Sequence, residues 1–227
     1  MKIKKLLIGD IRFQYKYGFY FLYLVFTFLY VFILKVIPES WILPLAMVLI
    51  FSDPSAIGLI FSGAIIQLEL SEKTFQSLAI SPIKPSEYLW SKLLSLAIIS
   101  FISASIIGLC VHPINNYLFF AFAIILGSMI FTNLGLICAF KTHSLNQFFL
   151  TIVPVIILIV VPGCIYQFYH LQNWFVIHPG VAIVEMLNGG ASSVLSSFIL
   201  ITWFCILFLA TKKVIKQEFK NKKELKR

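Results

Sequence analysis

"SEKTFQSLAISPIKPSEYLWSK", residues 71–92, interrupts a chain that is otherwise strongly apolar. It carries two prolines and five charged residues between an apolar stretch at 41–70 and another at 93–111. If the flanking stretches cross a bilayer, this passage lies outside the hydrocarbon. The side on which it emerges then fixes the topology of the whole chain.

The composition makes a bilayer the right solvent. Of 227 residues, 60% are hydrophobic and 12% charged, and the mean hydropathy is +0.96. Soluble domains carry about 25% charged residues. Apolar runs of about 18 residues or more, the length of a spanning helix, recur along the sequence. The net charge of +9 is no nucleic-acid footprint, because the basic residues sit at the ends of apolar runs rather than on one polar face. Cys110, Cys138, Cys164 and Cys205 lie singly inside apolar runs and read as small hydrophobic residues. His112, His143, His170 and His178 have neither metal-ligand spacing nor a base–nucleophile arrangement. The expectation is therefore no metal site, no catalytic residues and no cofactor of the chain's own.

Read outward from 71–92, the chain forms one transmembrane domain over 1–227. Residues 1–16 make a basic amphipathic helix lying at the interface, with Ile3, Leu6, Leu7 and Ile11 on its apolar face. Spans follow at 17–34, within 41–70, and at 93–111, 117–140, 148–168 and 193–210. The stretch 41–70 is too long for one crossing of about 30 Å, and Asp53 precedes a proline. A break is expected there, between a short outer helix and the second span. Residues 169–192 are mixed in polarity and too broken to span, and 211–227 are a basic tail. The first-span sequence lacks a small-residue cleavage site and reads as an uncleaved span. With both termini inside, 17 of the 18 Lys and Arg residues fall on the cytoplasmic side, Lys35 excepted.

Within the opening passage, Ser71 is placed to cap a short helix with Glu72 in its first turn. Phe75, Leu78 and Ala79 then share one face. "SPIKP" turns the chain, Ser86 caps a new helix with Glu87 in its first turn, and Lys92 anchors the third span at the headgroups. An apolar face outside the hydrocarbon needs cover. Either the bilayer surface or a partner protein satisfies that need.

Here the sequence resembles the permease subunits of type-2 ABC exporters. The matching residues are Glu69, Thr74, Phe75, Gln76, Leu78, Ser81, Pro82, Glu87 and Lys92, with Lys73 standing where the family frequently has Gly. "GDIRFQYKYGFYFLYLVFTFLY" and "FSDPSAIG" are most similar to the fluoroquinolone-export branch. The resemblance implies an all-α integral membrane protein with an interfacial elbow helix, six spans, a cytoplasmic coupling segment at 71–88 and an outer re-entrant segment at 169–192. It implies that Thr74, Phe75, Gln76, Leu78, Ala79, Ile80, Ser81 and Pro82 dock in a groove of a separate ABC ATPase. That subunit would bind ATP and Mg²⁺, since this chain has no GxxxxGK[ST] phosphate loop. Other implied partners are membrane lipids and a second copy or homologous permease. The function implied is export of an amphipathic drug, peptide or lipid-like molecule across a bacterial cell membrane.

Three acids are candidates for the pathway or its gating. Asp53 lies well inside an apolar stretch, where it either faces a pathway or caps a helix near the outer surface. Glu69 ends the second span and is placed to pair with a basic residue of the elbow helix. Glu185, in the re-entrant segment, either lines the exit or sits on a solvated face. Alternative readings are a haem-exporter-like permease, a non-transporting membrane scaffold or immunity protein, and an intramembrane lipid enzyme. The last would need clustered Asp, His or Glu at the interface.

The charge asymmetry predicts sidedness. In a cysteine-free background, Cys placed at Lys84, Lys141 or Lys216 reacts with an impermeant maleimide only from the cytoplasm. Cys at Asn115 reacts only from outside. Labelling of position 84 from outside overturns the six-span arrangement.

Overall fold

A bilayer offers no water to bond backbone N–H and C=O groups, so an apolar run long enough to cross must satisfy them internally as helix. The computed structural model describes residues 2–111, 116–169, 173–190 and 192–224, and no strand occurs among them. The "HPINN" loop residues 112–115 with His112, residues 170–172 with His170, and tail residues 225–227 lie outside the described set. The helices are α1 (Lys2–Lys16), α2 (Phe19–Val36), α3 (Glu39–Ala56), α4 (Ser62–Ser71), α5 (Thr74–Ile80), α6 (Pro85–Val111), α7 (Tyr117–Phe140), α8 (Leu145–Phe168), α9 (Pro179–Leu187) and α10 (Ser193–Glu224). A π-helical turn, Ile57–Phe61, joins α3 to α4, and a 3₁₀ turn, Asn173–Ile177, leads into α9.

Six segments are long and apolar enough to cross a membrane: α2, α3 through α4, α6, α7, α8 and α10. This is the architecture of a multi-pass membrane protein. The most buried is α7, which packs against α6, α10, α9 and the π turn, while α2 and α8 turn most of their surface outward. That outward surface is apolar, with Phe21, Phe28, Phe32, Leu150 and Leu158 all exposed. A face of this kind is stable only against lipid or another apolar surface.

Local chemistry sets the helix ends. Asn116 caps α7 by accepting from the N–H groups of Leu118 and Phe119. At α8, Gln147 N–H donates to Ser144 Oγ at 3.2 Å and His143 N–H donates to Gln147 Oε1 at 3.0 Å, a nearly reciprocal cap. At α6, Pro85 takes the first helical position and Lys84 N–H donates to Glu87 Oε2 at 2.8 Å.

Four expectations are corrected. Asp53 does not mark a break, because helix continues from Glu39 to Ser71 with its irregularity displaced to the π turn. The extended preference of a pre-proline residue is outweighed by packing of Ile50 and Phe51 into the core and by an Asp53 hydrogen bond to α6. Ser71 ends α4 rather than capping α5, and its hydroxyl bonds back to the Leu68 carbonyl. The cap of α5 is Lys73, in the left-handed conformation at φ +59°, and that of α6 is Lys84 rather than Ser86. Finally, the described part of the tail is no separate element. α10 continues to Glu224, and its Thr211, Ile215 and Phe219 form a buried stripe at i, i+4, i+8 while Lys212, Lys213 and Lys216 face outward.

The π turn lies backbone-to-backbone on α7. A Cβ added to Gly58 would fall 2.7 Å from Phe131 Cβ and 2.8 Å from Thr132 N, and one on Gly135 would meet the Gly58 carbonyl at 2.8 Å. Small residues at such a crossing let two helices approach closely. Gly135→Ala therefore costs about 1–3 kcal/mol by overpacking and lowers the melting temperature of the purified protein in detergent. Gly9→Ala, within α1 and with nothing within 4 Å of its Cβ, does not lower the melting temperature.

Candidate functional site

Near the α5 end of the bundle three helices meet at one ammonium group. Lys92 of α6, 1% exposed, donates to Asp10 Oδ1 of α1 at 2.5 Å and to Glu69 Oε1 of α4. The Tyr88 hydroxyl, one turn earlier on α6, donates to Glu69 Oε2 at 2.6 Å. The rings of Tyr88 and Phe13 lie 5.3 and 6.0 Å from the ammonium and wall it from water. Beside it, Gln14 Nε2 donates to Ser95 Oγ at 2.9 Å, and Ser95 donates to the Lys92 carbonyl.

Two expectations change here. Lys92 is not a headgroup anchor, since it turns inward to meet two carboxylates. Glu69 pairs with that lysine and not with a basic residue of α1; the residue α1 contributes is an acid. Asp10 and Gln14, at i and i+4, sit on the inward stripe of α1, while Ile3 and Ile8 face outward. Asp10 was legible as the one acid in a basic helix, but nothing in its spacing pointed to Lys92.

The quoted passage forms a brace. Phe75 and Ala79 are both 0% exposed, and Leu78 is half-buried beside them. The Phe75 ring meets Phe140 of α7 at 5.2 Å, Phe219 of α10 at 5.4 Å and Tyr88 at 5.7 Å. The face expected to dock on a partner is thus covered by this chain's own aromatic residues. Ser77, Ile80 and Pro82 remain exposed, with Thr74, Gln76 and Ser81 partly so.

Asp53 is 3% exposed and lies within the continuous helical run Glu39–Ser71, so it is no surface cap. Ser103 Oγ of α6 donates to its Oδ2 at 2.5 Å, and Thr27 Oγ1 of α2 lies 2.7 Å from Ser103 Oγ. Spacing alone did not single out Thr27 or Ser103. Glu185 is buried rather than solvated: it accepts from the Tyr166 hydroxyl at 2.7 Å and from Ser192 N–H at 3.3 Å, tying α9 to α8 and to the start of α10. The three candidate acids are not brought together; they mark three separate levels of the bundle.

The segment between α8 and α10 answers a defect made by proline. Pro162 has no N–H to give the Leu158 carbonyl, and the His178 ring bonds that carbonyl instead. Burial pushes the His178 pKa down, against the pull of that bond. Trp203 Nε1 donates to the Ile177 carbonyl at 3.0 Å and closes the turn. Among the described residues no group of three His, Cys, Asp or Glu is arranged to hold a metal ion.

Fold and site together define an all-α multi-pass membrane protein with buried acids at three levels. No family model, curated protein or solved structure matches the chain.

The charge cluster makes a signed prediction. Lys92→Met strands two buried carboxylates and costs about 3–5 kcal/mol, seen as a loss of folded protein on heating in detergent. Adding Asp10→Asn and Glu69→Gln to Lys92→Met restores most of that loss. A triple variant no more stable than Lys92→Met alone contradicts the pairing.

Proposed function

We propose that this chain is the membrane-spanning permease subunit of an ATP-driven exporter of the type-2 ABC kind. It works beside a second copy or a homologous permease, over separate ATPase subunits that bind ATP and Mg²⁺, and moves an amphipathic substrate out of the cell. The carrying observation is α5. A seven-residue helix between two spans is held rigidly on its inner face by Phe75 and leaves an outer face of Ser77, Ile80 and Pro82 unburied. A strut braced on one side and open on the other suits transmission of force from a partner. Lys73 supports the same reading, because its left-handed backbone is the conformation glycine favours, and glycine is frequent at that position in the family the sequence resembles.

The docking set is accordingly revised. Phe75 and Ala79, with Leu78, brace α5 against the bundle; Thr74, Gln76, Ser77, Ile80, Ser81 and Pro82 face the partner. In this reading the α5 end, where the basic residues concentrate, faces the cytoplasm.

Co-purification with ABC ATPases of the same genome tests the reading. Ile80, 45% exposed, is the largest apolar side chain on the outer face of α5. A fully buried side chain of this size contributes about 1.5–3 kcal/mol, so Ile80→Asp lowers ATPase recovery about tenfold or more with the permease still folded. Phe75→Ala instead removes a core side chain and destabilises the permease itself by about 3–5 kcal/mol. Undiminished recovery with Ile80→Asp, or no ATPase recovered with the native chain, overturns the proposal.

A further inference from the structure

A cavity of about 190 Å³ lies between α2 and α6, open to the outside of the bundle. That equals about six water volumes, room for a short stretch of alkyl chain. Its walls are apolar and aromatic, with Tyr20, Tyr23, Leu24 and Phe28 on one side and Ile102 and Ile106 on the other, and the aliphatic hydroxyls of Thr27 and Ser103 interrupt them. Thr27 is eight residues into α2 and Asp53 fourteen into α3, about 12 and 21 Å along their helices. Both therefore lie well inside a hydrocarbon layer about 30 Å thick.

The hydrogen-bond inventory fixes what this place can accept. Ser103 has one hydroxyl hydrogen and gives it to Asp53. Thr27 has one, held within the cluster by the Tyr23 carbonyl at 2.9 Å or by Ser103. Neither of these two hydroxyls has a donor hydrogen left over, so their free valences are lone pairs; the Tyr23 hydroxyl of the same wall is buried and has no hydrogen-bond partner among the described residues. The charge behind them is an acid with no ion-pair partner among the described residues. Through one hydroxyl, that carboxylate stands about 5 Å from a group seated at Ser103, and at that distance in a low dielectric a unit charge is strongly felt. Such a site is short of positive charge.

We propose that the groove between α2 and α6 is a lateral binding site for amphiphiles bearing a protonated amine. The ammonium sits at Thr27 and Ser103 and is neutralised by Asp53, while the alkyl or aryl body lies along the groove, entered from the lipid. As a transport route this rests on the exporter reading; as a binding site it does not.

The test uses the purified full chain in detergent, without ATP or ATPase, and two diazirine-bearing probes of equal length: an alkylamine and the corresponding alcohol. The amine labels the segments around Thr27 and Ser103 about tenfold more than the alcohol. Asp53→Asn brings the two probes to parity, Ser103→Ala reduces the preference in the same direction, and Ile102→Trp, which fills the groove, removes labelling by both. Equal labelling of the native chain by amine and alcohol means a groove holding only lipid chain, and overturns the proposal. So does an amine preference that survives whichever of Asp53→Asn and Ser103→Ala folds. Retained amine preference in a chain that binds no ATPase counts against the exporter reading alone.

Discussion

An ammonium group removed from water must find anions, and in this fold meeting that demand decides where three helices go. Lys92 is 1% exposed, and the carboxylates that accept from it come from α1 and α4, elements 82 and 23 residues distant in the chain. An unpaired buried charge is far costlier than a paired one. α1 is therefore held against α6 instead of floating in the headgroups, and the end of α4 is held beside α6. Tyr88 extends the constraint, bonding Glu69 through its hydroxyl while its ring packs on Phe75 and Phe219. The charged cluster and the aromatic seat of α5 are one packed unit.

The same pairing shows what the sequence carried and what it could not. The candidate spans, the amphipathic first helix and the short helix after the second span follow from apolar run length and 3.6-residue periodicity, which are local quantities. Periodicity also identified the Phe75–Leu78–Ala79 face. It could not say what covers that face, because Phe219 lies 144 residues further along and belongs to a segment whose lysines read as a solvated tail. In α10, Thr211, Ile215 and Phe219 recur every fourth residue among those lysines, a signal that charge counting hides. For Lys92 the failure is of another kind: a lysine near a helix end extends to the headgroups or turns inward by a change of rotamer, and only the partner 82 residues away selects between them.

The three acids singled out in the sequence share a chemistry that spacing does not show. Each accepts a short bond from a hydroxyl: Glu69 from Tyr88 at 2.6 Å, Asp53 from Ser103 at 2.5 Å and Glu185 from Tyr166 at 2.7 Å. Of these, ion pairing among the described residues occurs only at Glu69. A hydroxyl donor lowers the cost of a carboxylate in a low-dielectric interior without neutralising it. The charge cluster is thus closed on itself, with its cation supplied by the fold. The Asp53 level is open, because its hydroxyls are reached from a groove and its countercharge is not built in.

Packing differs between these levels. At the α5 end, the Phe75 ring touches three helices, so α5 cannot shift without displacing Tyr88, Phe140 or Phe219. Close-packed interiors of this kind pass displacement on rather than absorb it. At the middle of the bundle, α3 joins α4 through a π-helical turn, one residue wider per turn than an α-helix, and that turn lies closely against α7 at Gly58 and Gly135. A π turn is costlier than α-helix and persists where packing holds it. Under the exporter reading, a push on α5 would pass through Tyr88 and Glu69 into α4, which the Ile57–Phe61 turn joins to α3. Asp53 lies one helical turn beyond it, on the same continuous helix. Rewinding that turn would rotate Asp53 relative to Ser103, which is the contact that sets whether the acid faces the groove.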